Sequence, residues 1–267
     1  TPKNFINMLW KNRHLIIAFA KREVASRYKG SFLGIIWSFV NPLMMLTIYT
    51  FVFSVIFKAK WQPGVESSKV EFALTLFCGL IAFNLFSELA NKSPFLIISN
   101  QNYVKKVVFP LEILPVSTLL SILVHFGISL LVLLCGQLAF FHSLSSTIIL
   151  LPIVLLPLLF FSLAISYLLA SLGVYIRDIS YTIGIIINIL FFLTPVFYPV
   201  SAVPEYFQTF MYLNPLTFLV ESFRLVIIWN SMPNLLELGY WIIGTFALLL
   251  ACYAWFMTTR RGFSDVI

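Results

Sequence analysis

Few charged side chains stand next to the long apolar runs of this sequence, and Glu221 and Arg224 form the clearest pair among them. They are three positions apart, so in a helix they share one face and their charges can meet. In apolar surroundings such a pair would partly neutralise itself. The spacing therefore supports two interpretations, a structural ion pair and a latch that holds a gate shut.

Motifs for common enzyme chemistry are absent from the sequence. It has no Gly-x-x-x-x-Gly-Lys loop of the kind that cradles ATP phosphates and no His-Glu-x-x-His motif. The histidines His14, His125 and His142 are too scattered to predict a metal site. Acidic residues lie near the ends of apolar runs, which argues against a proton or sodium relay. We therefore expect no catalytic residue, no cofactor and no metal in this chain.

Aromatic residues crowd one segment in the last third of the chain. The sequence has 28 Phe, 11 Tyr and 6 Trp, and lipid-facing packing and interfacial belts account for most of them. In residues 195–234 they could instead stack on the apolar faces of sugar rings, while hydroxyl groups reach sugar oxygens. The candidates for this role are Phe197, Tyr198, Tyr206, Phe207 and Phe210.

The composition predicts the environment of these residues. Hydrophobic residues make up 60% of the chain, charged residues 10%, and the mean hydropathy is +0.98, whereas soluble domains carry about 25% charged residues. Since a span needs roughly 20 apolar residues, we predict an all-α integral membrane protein of one domain, residues 1–267, with six transmembrane helices. The predicted spans are Phe32–Phe57, Phe72–Ser87, Ile113–Phe141, Thr147–Ile176, Ile179–Pro195 and Leu238–Thr259, and an extension of the second span past Glu88 stays open.

Two segments do not fit simple spans. Residues 2–29 place a polar, mostly basic stripe opposite aromatic and aliphatic residues, which is typical of an amphipathic helix in the membrane interface. A helix packed on another domain is the alternative. Residues 195–234 are apolar but repeatedly broken by proline, which interrupts helices. Two short re-entrant helices before the last span fit this pattern better than one span, provided that they are buried in protein or line a cavity.

The basic residues predict the orientation. Of the 17 Lys and Arg residues, all but Lys58, Lys60, Lys69 and Arg224 fall on the side that holds both termini if the chain has six spans. Positive charge collects on the cytoplasmic side of membrane proteins. We expect both termini to be cytoplasmic, and the net charge of +7 to reflect topology rather than nucleic-acid binding.

Four groups of motifs follow one another along nearly the whole chain. They are residues 27–37 (RYKGSFLGIIW) with Asn41-Pro42, residues 106–110 (KVVFP) with Leu114-Pro115, Arg177-Asp178, and residues 194–199 (TPVFYP) with Asn214-Pro215 and Arg224. Each motif alone is weakly specific, and together they are fairly specific. In this order they resemble the membrane subunits of ABC exporters for cell-surface polysaccharides, namely O-antigen, capsule and teichoic acid.

This resemblance implies an assembly and a substrate. It implies a multi-pass homodimer in the bacterial cytoplasmic membrane, with a channel between the two copies and two ATP-binding subunits on the cytoplasmic side. ATP and Mg would be held by those subunits. The substrate would be a polysaccharide attached to a polyprenyl pyrophosphate lipid, with O-antigen as the first candidate. Membrane lipids would surround the homodimer.

The resemblance also suggests roles for particular residues. Residues 91–106 would couple to the ATPase, with candidates Phe95, Ile98, Lys105, Lys106, Arg177 and Asp178. Arg27, Tyr28 and Lys29 precede the first span, where cations could meet the pyrophosphate, and the planar fork of arginine suits phosphate oxygens; a simple positive anchor is the alternative. Residues 195–234 would form a periplasmic gate, closed by the aromatic candidates and latched by Glu221 and Arg224.

Two other function classes stay open at this point. A secondary transporter or channel would work without an ATPase. A lipid-linked glycosyl or acyl transferase would need a cluster of catalytic acids or histidines at one membrane face, and Glu205 with Glu221 is the nearest approach to one. The sequence does not separate O-antigen from capsule or teichoic acid as the exported polymer.

Overall fold

A computed structural model describes residues 2–30, 32, 34–56, 61, 69–105 and 109–267 of the protein, without the side chains of Tyr28, Ile35 and residues 53–55. Most of the predicted polar loop Lys58–Glu71 lies outside the described residues, and so does Lys106. The helices are α1 (Pro2–Lys11), α2 (Arg13–Tyr28), α3 (Trp37–Tyr49), α4 (Lys69–Lys92), α5 (Gln101–Val104), α6 (Ile113–Phe141), α7 (Leu151–Tyr175), α8 (Ile179–Leu193), α9 (Glu205–Leu213), α10 (Pro215–Ile227), α11 (Leu235–Thr259) and α12 (Phe263–Val266).

Four helical segments are long and apolar enough to cross a bilayer, namely Lys69–Phe95, Ile113–Phe141, Ser146–Tyr175 and Leu235–Val266. They contain α4, α6, α7 and α11 and confirm four of the predicted spans. The second span takes the longer of its two predicted forms, because α4 continues past Ser87 through Glu88 to Lys92. Two shorter apolar helices, α3 and α8, lie where two further spans are predicted, and α3 continues as a π-helical stretch, Thr50–Ile56.

Helix α4 is the centre of the fold. Nearly all of its side chains from Phe72 to Phe86 are buried, and α6, α7 and α10 pack around it. The other three long segments bury only a minority of their apolar side chains. Because lipid tails solvate apolar side chains as well as a protein core does, this one-sided burial is the pattern of helices that face lipid outwards.

The N-terminal segment is two helices rather than the single predicted helix of residues 2–29. The chain leaves helical geometry at Asn12, whose Nδ2 donates to the Met8 carbonyl at 3.0 Å. Helix α1 buries Phe5 and Met8, and Phe5 contacts Tyr253 of α11 with ring centroids 5.1 Å apart. The apolar face of the segment therefore packs, at least in part, on the protein itself.

The break between α2 and α3 relies on glycine. Gly30 and Gly34 have φ of 85° and 51°, a left-handed region that other residues rarely adopt. These two positions turn the chain from the N-terminal helices into α3.

The proline-rich segment contains two short helices, as predicted. Helices α9 and α10 meet at 93°, because Pro215 cannot continue α9 and instead begins α10. Asn214 caps α10 by accepting a hydrogen bond from the Leu216 amide at 3.1 Å. Its Nδ2 also donates to Thr194 Oγ1 at 3.0 Å, which joins the corner to the end of α8.

The C-terminal residues lie at one end of the helix bundle, here called the terminal end, and α1 packs near it on Tyr253. Arg260, after α11, forms an ion pair with Glu112 at the start of α6, and the Tyr175 hydroxyl at the end of α7 donates to the Thr259 carbonyl at 2.8 Å. The opposite end, here called the far end, holds the starts of α4, α7 and α11.

Candidate functional site

A cavity of about 430 Å³ lies between α3, α4, α6 and α8. Along α4 it extends from Phe77 to Glu88, which is about 16 Å of helix. Its polar lining residues are Arg27, Ser38, Asn41, Asn84, Ser87, Glu88, His125 and Ser129. Polar side chains at membrane depth are costly unless they face protein or a water-filled space. This space, here called the polar cavity, is therefore the first candidate site.

Helical spacing brings these polar side chains to one side of each helix. On α4, Asn84 and Glu88 are four residues apart, so they share a face. Asn84 is exposed although its neighbours on α4 are buried. On α6, His125 and Ser129 show the same spacing. Each of the two helices thus turns a pair of polar side chains toward the polar cavity.

Four charged side chains form a cluster at the terminal mouth of the polar cavity. Arg27 of α2 donates to Glu88 of α4 at 2.6 Å, and Lys92 lies 3.0 Å from Glu88 and 3.1 Å from Glu23. The second carboxylate oxygen of Glu23 accepts a hydrogen bond from Thr118 of α6 at 2.9 Å. This ion-pair cluster joins α2, α4 and α6, and its two cations and two anions balance.

Of the three residues predicted to bind the lipid head group, the structure describes the side chains of Arg27 and Lys29, and these lie in different environments. Arg27 lines the polar cavity, and 41% of its side chain is exposed. One of its Nη atoms contacts Glu88, so other donors of the guanidinium are left for a ligand. Lys29 is exposed, and the side chain of Tyr28 lies outside the described residues. The structure thus brings Arg27 to the cavity and does not place Lys29 in its lining.

A groove of about 390 Å³ at the terminal end gathers the predicted coupling residues. Phe95, Ile98 and Arg177 all line it, with Tyr181 and Val266. Phe95 is 51% exposed and Tyr181 79% exposed. Lys105 and Asp178 are exposed but are not in the lining, and Lys106 lies outside the described residues. We call this space the terminal groove.

The segment that carries Phe95 is fixed on α7. Ser93 is buried, and its hydroxyl donates to Ser166 at 2.6 Å. A Cβ atom at Gly173 would lie 2.7 Å from the Pro94 Cα atom and closer still to its carbonyl oxygen. Only glycine allows this close approach of two backbones. Residues 93–100 therefore form 3₁₀ turns packed on α7, and a regular helix appears only at α5.

Arg224 is an anchor for the corner between α8 and α9. Its side chain is fully buried, and its guanidinium donates to the carbonyls of Thr75, Pro195 and Val196 at 3.1, 2.5 and 2.8 Å. It also donates to Glu221 at 2.7 Å. The Glu221–Arg224 pair of the sequence is thus present, but most of the hydrogen bonds of Arg224 go to backbone carbonyls.

The five predicted gate aromatics separate into two groups. Phe197 is buried and packs on Phe191, with ring centroids 4.8 Å apart, and the Tyr198 hydroxyl donates to the Phe192 carbonyl at 2.5 Å. These two residues hold the corner after α8. The other three, on α9, are 76%, 56% and 61% exposed and contact one another. This exposed group, the α9 aromatic cluster, consists of Tyr206, Phe207 and Phe210.

Sequence reasoning missed several residues of these sites. Asn84, His125 and Ser129 lie inside runs that were predicted only as apolar spans. The sequence pattern that could have identified them is a polar residue every three or four positions within an apolar run, which indicates one polar face on a helix. Glu23 had a weaker signal, since its partner Lys92 lies 69 residues away in the chain, and so had the contact of Glu88 with Arg27, 61 residues away.

Comparison with known proteins gives a consistent result. The family model "ABC-2 type transporter" matches residues 14–228. The chain is 29% identical to the O-antigen export system permease protein RfbA of Myxococcus xanthus over 264 residues, 98% of each chain. It is 26% identical over 256 residues to a protein of that name from Klebsiella pneumoniae, 95% of each chain. Identity to the polysialic acid transport protein KpsM of Escherichia coli is 24% over 244 residues, 90% of this chain and 92% of that one.

Proposed function

This chain belongs to the ABC-2 type transporter family, and we propose that it is the membrane subunit of an ATP-driven exporter that carries a lipid-linked polysaccharide across the bacterial cytoplasmic membrane. The single structural observation that carries the proposal is the polar cavity. Asparagine, histidine and serine side chains offer both hydrogen-bond donors and acceptors, which suits the hydroxyl groups of a sugar chain. The match of nearly the full chain to O-antigen export permeases supports the same class of substrate.

In this proposal the chain crosses the membrane six times, through α3, α4, α6, α7, α8 and α11. Helix α3 with its π-helical stretch covers residues 37–56, about 30 Å, which matches the hydrocarbon core. Helix α8 has only 15 residues and is too short to span the hydrocarbon core alone. The α9–α10 pair follows it as a re-entrant segment and occupies the remaining depth of the membrane. The terminal end carries most of the basic residues and is cytoplasmic by the positive-inside rule.

The terminal groove is the docking place that we assign to an ATP-binding subunit. Phe95 and Tyr181 offer exposed aromatic surface, and Arg177 adds a charge at its rim. Aromatic and arginine side chains are enriched at protein interfaces. Two copies of this chain and two ATP-binding subunits, which would hold ATP and Mg, form the exporter. Residues 91–106 transmit closure of the ATP-binding subunits to α4 and α6, which they connect.

The two ends of the polar cavity receive different parts of the substrate. Arg27 at its terminal mouth binds the pyrophosphate of the polyprenyl carrier through the donors that Glu88 leaves available. We assign the α9 aromatic cluster, which is outside the cavity lining, to the exit side, where its rings would close the empty channel against ions and stack on sugar faces during export. Bulky rings without specific donors suit a polymer in which the same sugars recur.

Export and partner binding test the proposal together. In cells that lack this chain, we expect the lipid-linked polymer to accumulate inside the membrane and surface polysaccharide to disappear, with restoration by the wild-type gene. A cysteine at Phe95 or Ile98 should crosslink to the ATP-binding subunit, whereas a cysteine at the exposed Leu131 in the middle of α6 should not. Normal surface polysaccharide without this chain, or no crosslink from any groove position, would reject the proposal.

A further inference from the structure

A second space, here called the far-end pocket, lies between α10 and the start of α11. It measures about 440 Å³ and is separate from the polar cavity. The residues of its lining that matter here are Tyr212, Thr217, Phe218, Glu221, Trp229 and Glu237. Sugar and ligand sites typically combine apolar walls with a few convergent polar groups, and this lining has both.

The Thr217 hydroxyl is the observation that points to a ligand. Thr217 lines the far-end pocket and is fully buried, and its Oγ1 atom has no hydrogen-bond partner among the described residues. Buried polar atoms in native structures are nearly always hydrogen-bonded. A hydroxyl that stays unbonded at the wall of a pocket can donate to a guest or accept from it.

The carboxylates of the pocket define the charge of the guest. Glu221 and Glu237 both line the pocket, and its described lining contains no Lys or Arg. Glu221 is held by the buried Arg224 at 2.7 Å, whereas Glu237 is exposed and forms no ion pair among the described residues. The described part of the lining is therefore negative around Glu237, and this carboxylate repels an anionic guest.

The lining favours a polyol over a metal ion. A Ca²⁺ site takes six to eight oxygen ligands, and the guanidinium of Arg224 behind Glu221 opposes a second cation there. Hydroxyl groups of a neutral sugar donate to carboxylates in strong, charge-assisted hydrogen bonds. The rings of Tyr212 and Trp229 can cover the apolar face of a sugar ring, and Phe218 is fixed by stacking on Trp241 with centroids 5.7 Å apart.

We infer that the far-end pocket binds an uncharged sugar unit of the polymer as it leaves the membrane, and that Glu237 discriminates against acidic sugars. This inference rests on the proposed function, since it takes the polymer and the outward direction from it. It adds that the polymer of this exporter is neutral where it meets the pocket. Binding to a second site after the channel would keep the chain from sliding back between strokes.

Matched glycosides test the inference on the assembled complex of this chain with its ATP-binding subunit in nanodiscs. Saturation-transfer NMR compares the methyl glycosides of glucose, galactose and mannose with the corresponding methyl uronides, which differ only in a carboxylate at C6. We expect at least one neutral glycoside to bind, and its uronide to bind about tenfold more weakly or worse, because like charges repel at short distance.

Three variants locate the effect. Thr217→Val replaces an unbonded hydroxyl with a methyl group of the same shape, so folding should be unaffected while glycoside affinity falls about tenfold. Glu237→Gln should reduce the difference in binding affinity between each glycoside and its uronide. Glu205→Gln removes another exposed carboxylate of the far end, outside the pocket lining, and should change neither affinity.

Binding of the uronides as strong as that of the glycosides, or no response to Thr217→Val and Glu237→Gln, would overturn the inference. So would absence of any glycoside binding. Retention of the ATP-binding subunit is measured in the same nanodiscs. A complex that keeps this subunit and binds no sugar refutes only the far-end pocket, whereas a chain that never retains the subunit refutes the proposed function.

Discussion

Arg224 should matter for stability far more than Glu221, although the two form one ion pair. The guanidinium donates to three backbone carbonyls, those of Thr75, Pro195 and Val196. Arg224→Met leaves the last two, at a helix break, without these donors. A buried acceptor without its partner costs about 1–3 kcal/mol, so we expect a loss of about 3–5 kcal/mol in the free energy of unfolding.

Glu221→Gln should have a small effect by comparison. The Glu221 side chain is 29% exposed, solvent screens its attraction to Arg224, and a glutamine oxygen can still accept the hydrogen bond. Exposed ion pairs contribute about 1 kcal/mol or less, and loss of one partner of a fully buried pair costs about 3–5 kcal/mol. Because Arg224 is buried and Glu221 is not, we expect about 1–2 kcal/mol for Glu221→Gln, less than for Arg224→Met. Arg224→Lys should fall between the two, because one ammonium group cannot reproduce the planar fork that reaches several carbonyls.

Unfolding of the purified protein in mixed detergent, followed by tryptophan fluorescence, measures these differences. The double variant Glu221→Gln/Arg224→Met should be about as unstable as Arg224→Met alone, because Glu221 has already lost its ion-pair partner in the single variant. An equal loss from Glu221→Gln and Arg224→Met would show that the ion pair, and not the carbonyl anchor, holds the corner. Arg224→Met within about 1 kcal/mol of wild type would refute the anchor altogether.

Three further predictions concern the other sites. Asn84→Leu should abolish export while the complex with the ATP-binding subunit still assembles, and Asn84→Ser, which keeps a polar group in the cavity, should retain part of the export rate in a surface-polysaccharide assay. Gly173→Ala should lower the free energy of unfolding by about 1–3 kcal/mol through overpacking, whereas Gly184→Ala, which meets nothing within 4 Å, should be neutral or stabilising in the same detergent titration. Glu112→Gln breaks the partly buried ion pair with Arg260 and should lower the thermal midpoint, and an unchanged midpoint would show that this pair does not hold α11 to α6.

The positions of the long helices could be predicted from the sequence, because the length of each apolar run indicates a membrane span. Helix α6 has the predicted bounds Ile113–Phe141, and α9 and α10 follow from the prolines around them. The end of α4 was left open between Ser87 and a point past Glu88, because Glu88 and Lys92 stand where the apolar run ends. In the structure these two charges pair with each other at a spacing of four residues and also with Arg27 and Glu23 of a distant helix. The local sequence indicates only the first of these contacts.

The partners of Arg224 were beyond sequence reasoning for a different reason. Every residue has a backbone carbonyl, so nothing in the side chains of Pro195 and Val196 marks them as acceptors. The neighbouring Glu221 was the visible candidate, and it is one partner among four. The same limit applies to Phe197 and Tyr198, whose types suit a gate but which pack into the corner that Arg224 holds.

The ion-pair cluster at the mouth of the polar cavity is better understood as a positioning device than as a source of stability. Its side chains are between 25% and 41% exposed, and exposed ion pairs contribute little net free energy. Its geometry is the informative part, since Lys92 lies one residue before the turns that carry Phe95 and touches both Glu88 and Glu23. Because Glu88 also holds Arg27, a displacement of the terminal groove shifts the cation at the cavity mouth through two short contacts. The groove that we propose for the ATP-binding subunit and the cation that we propose for the pyrophosphate are thus connected through Glu88 and Lys92, which lie within a single turn of α4.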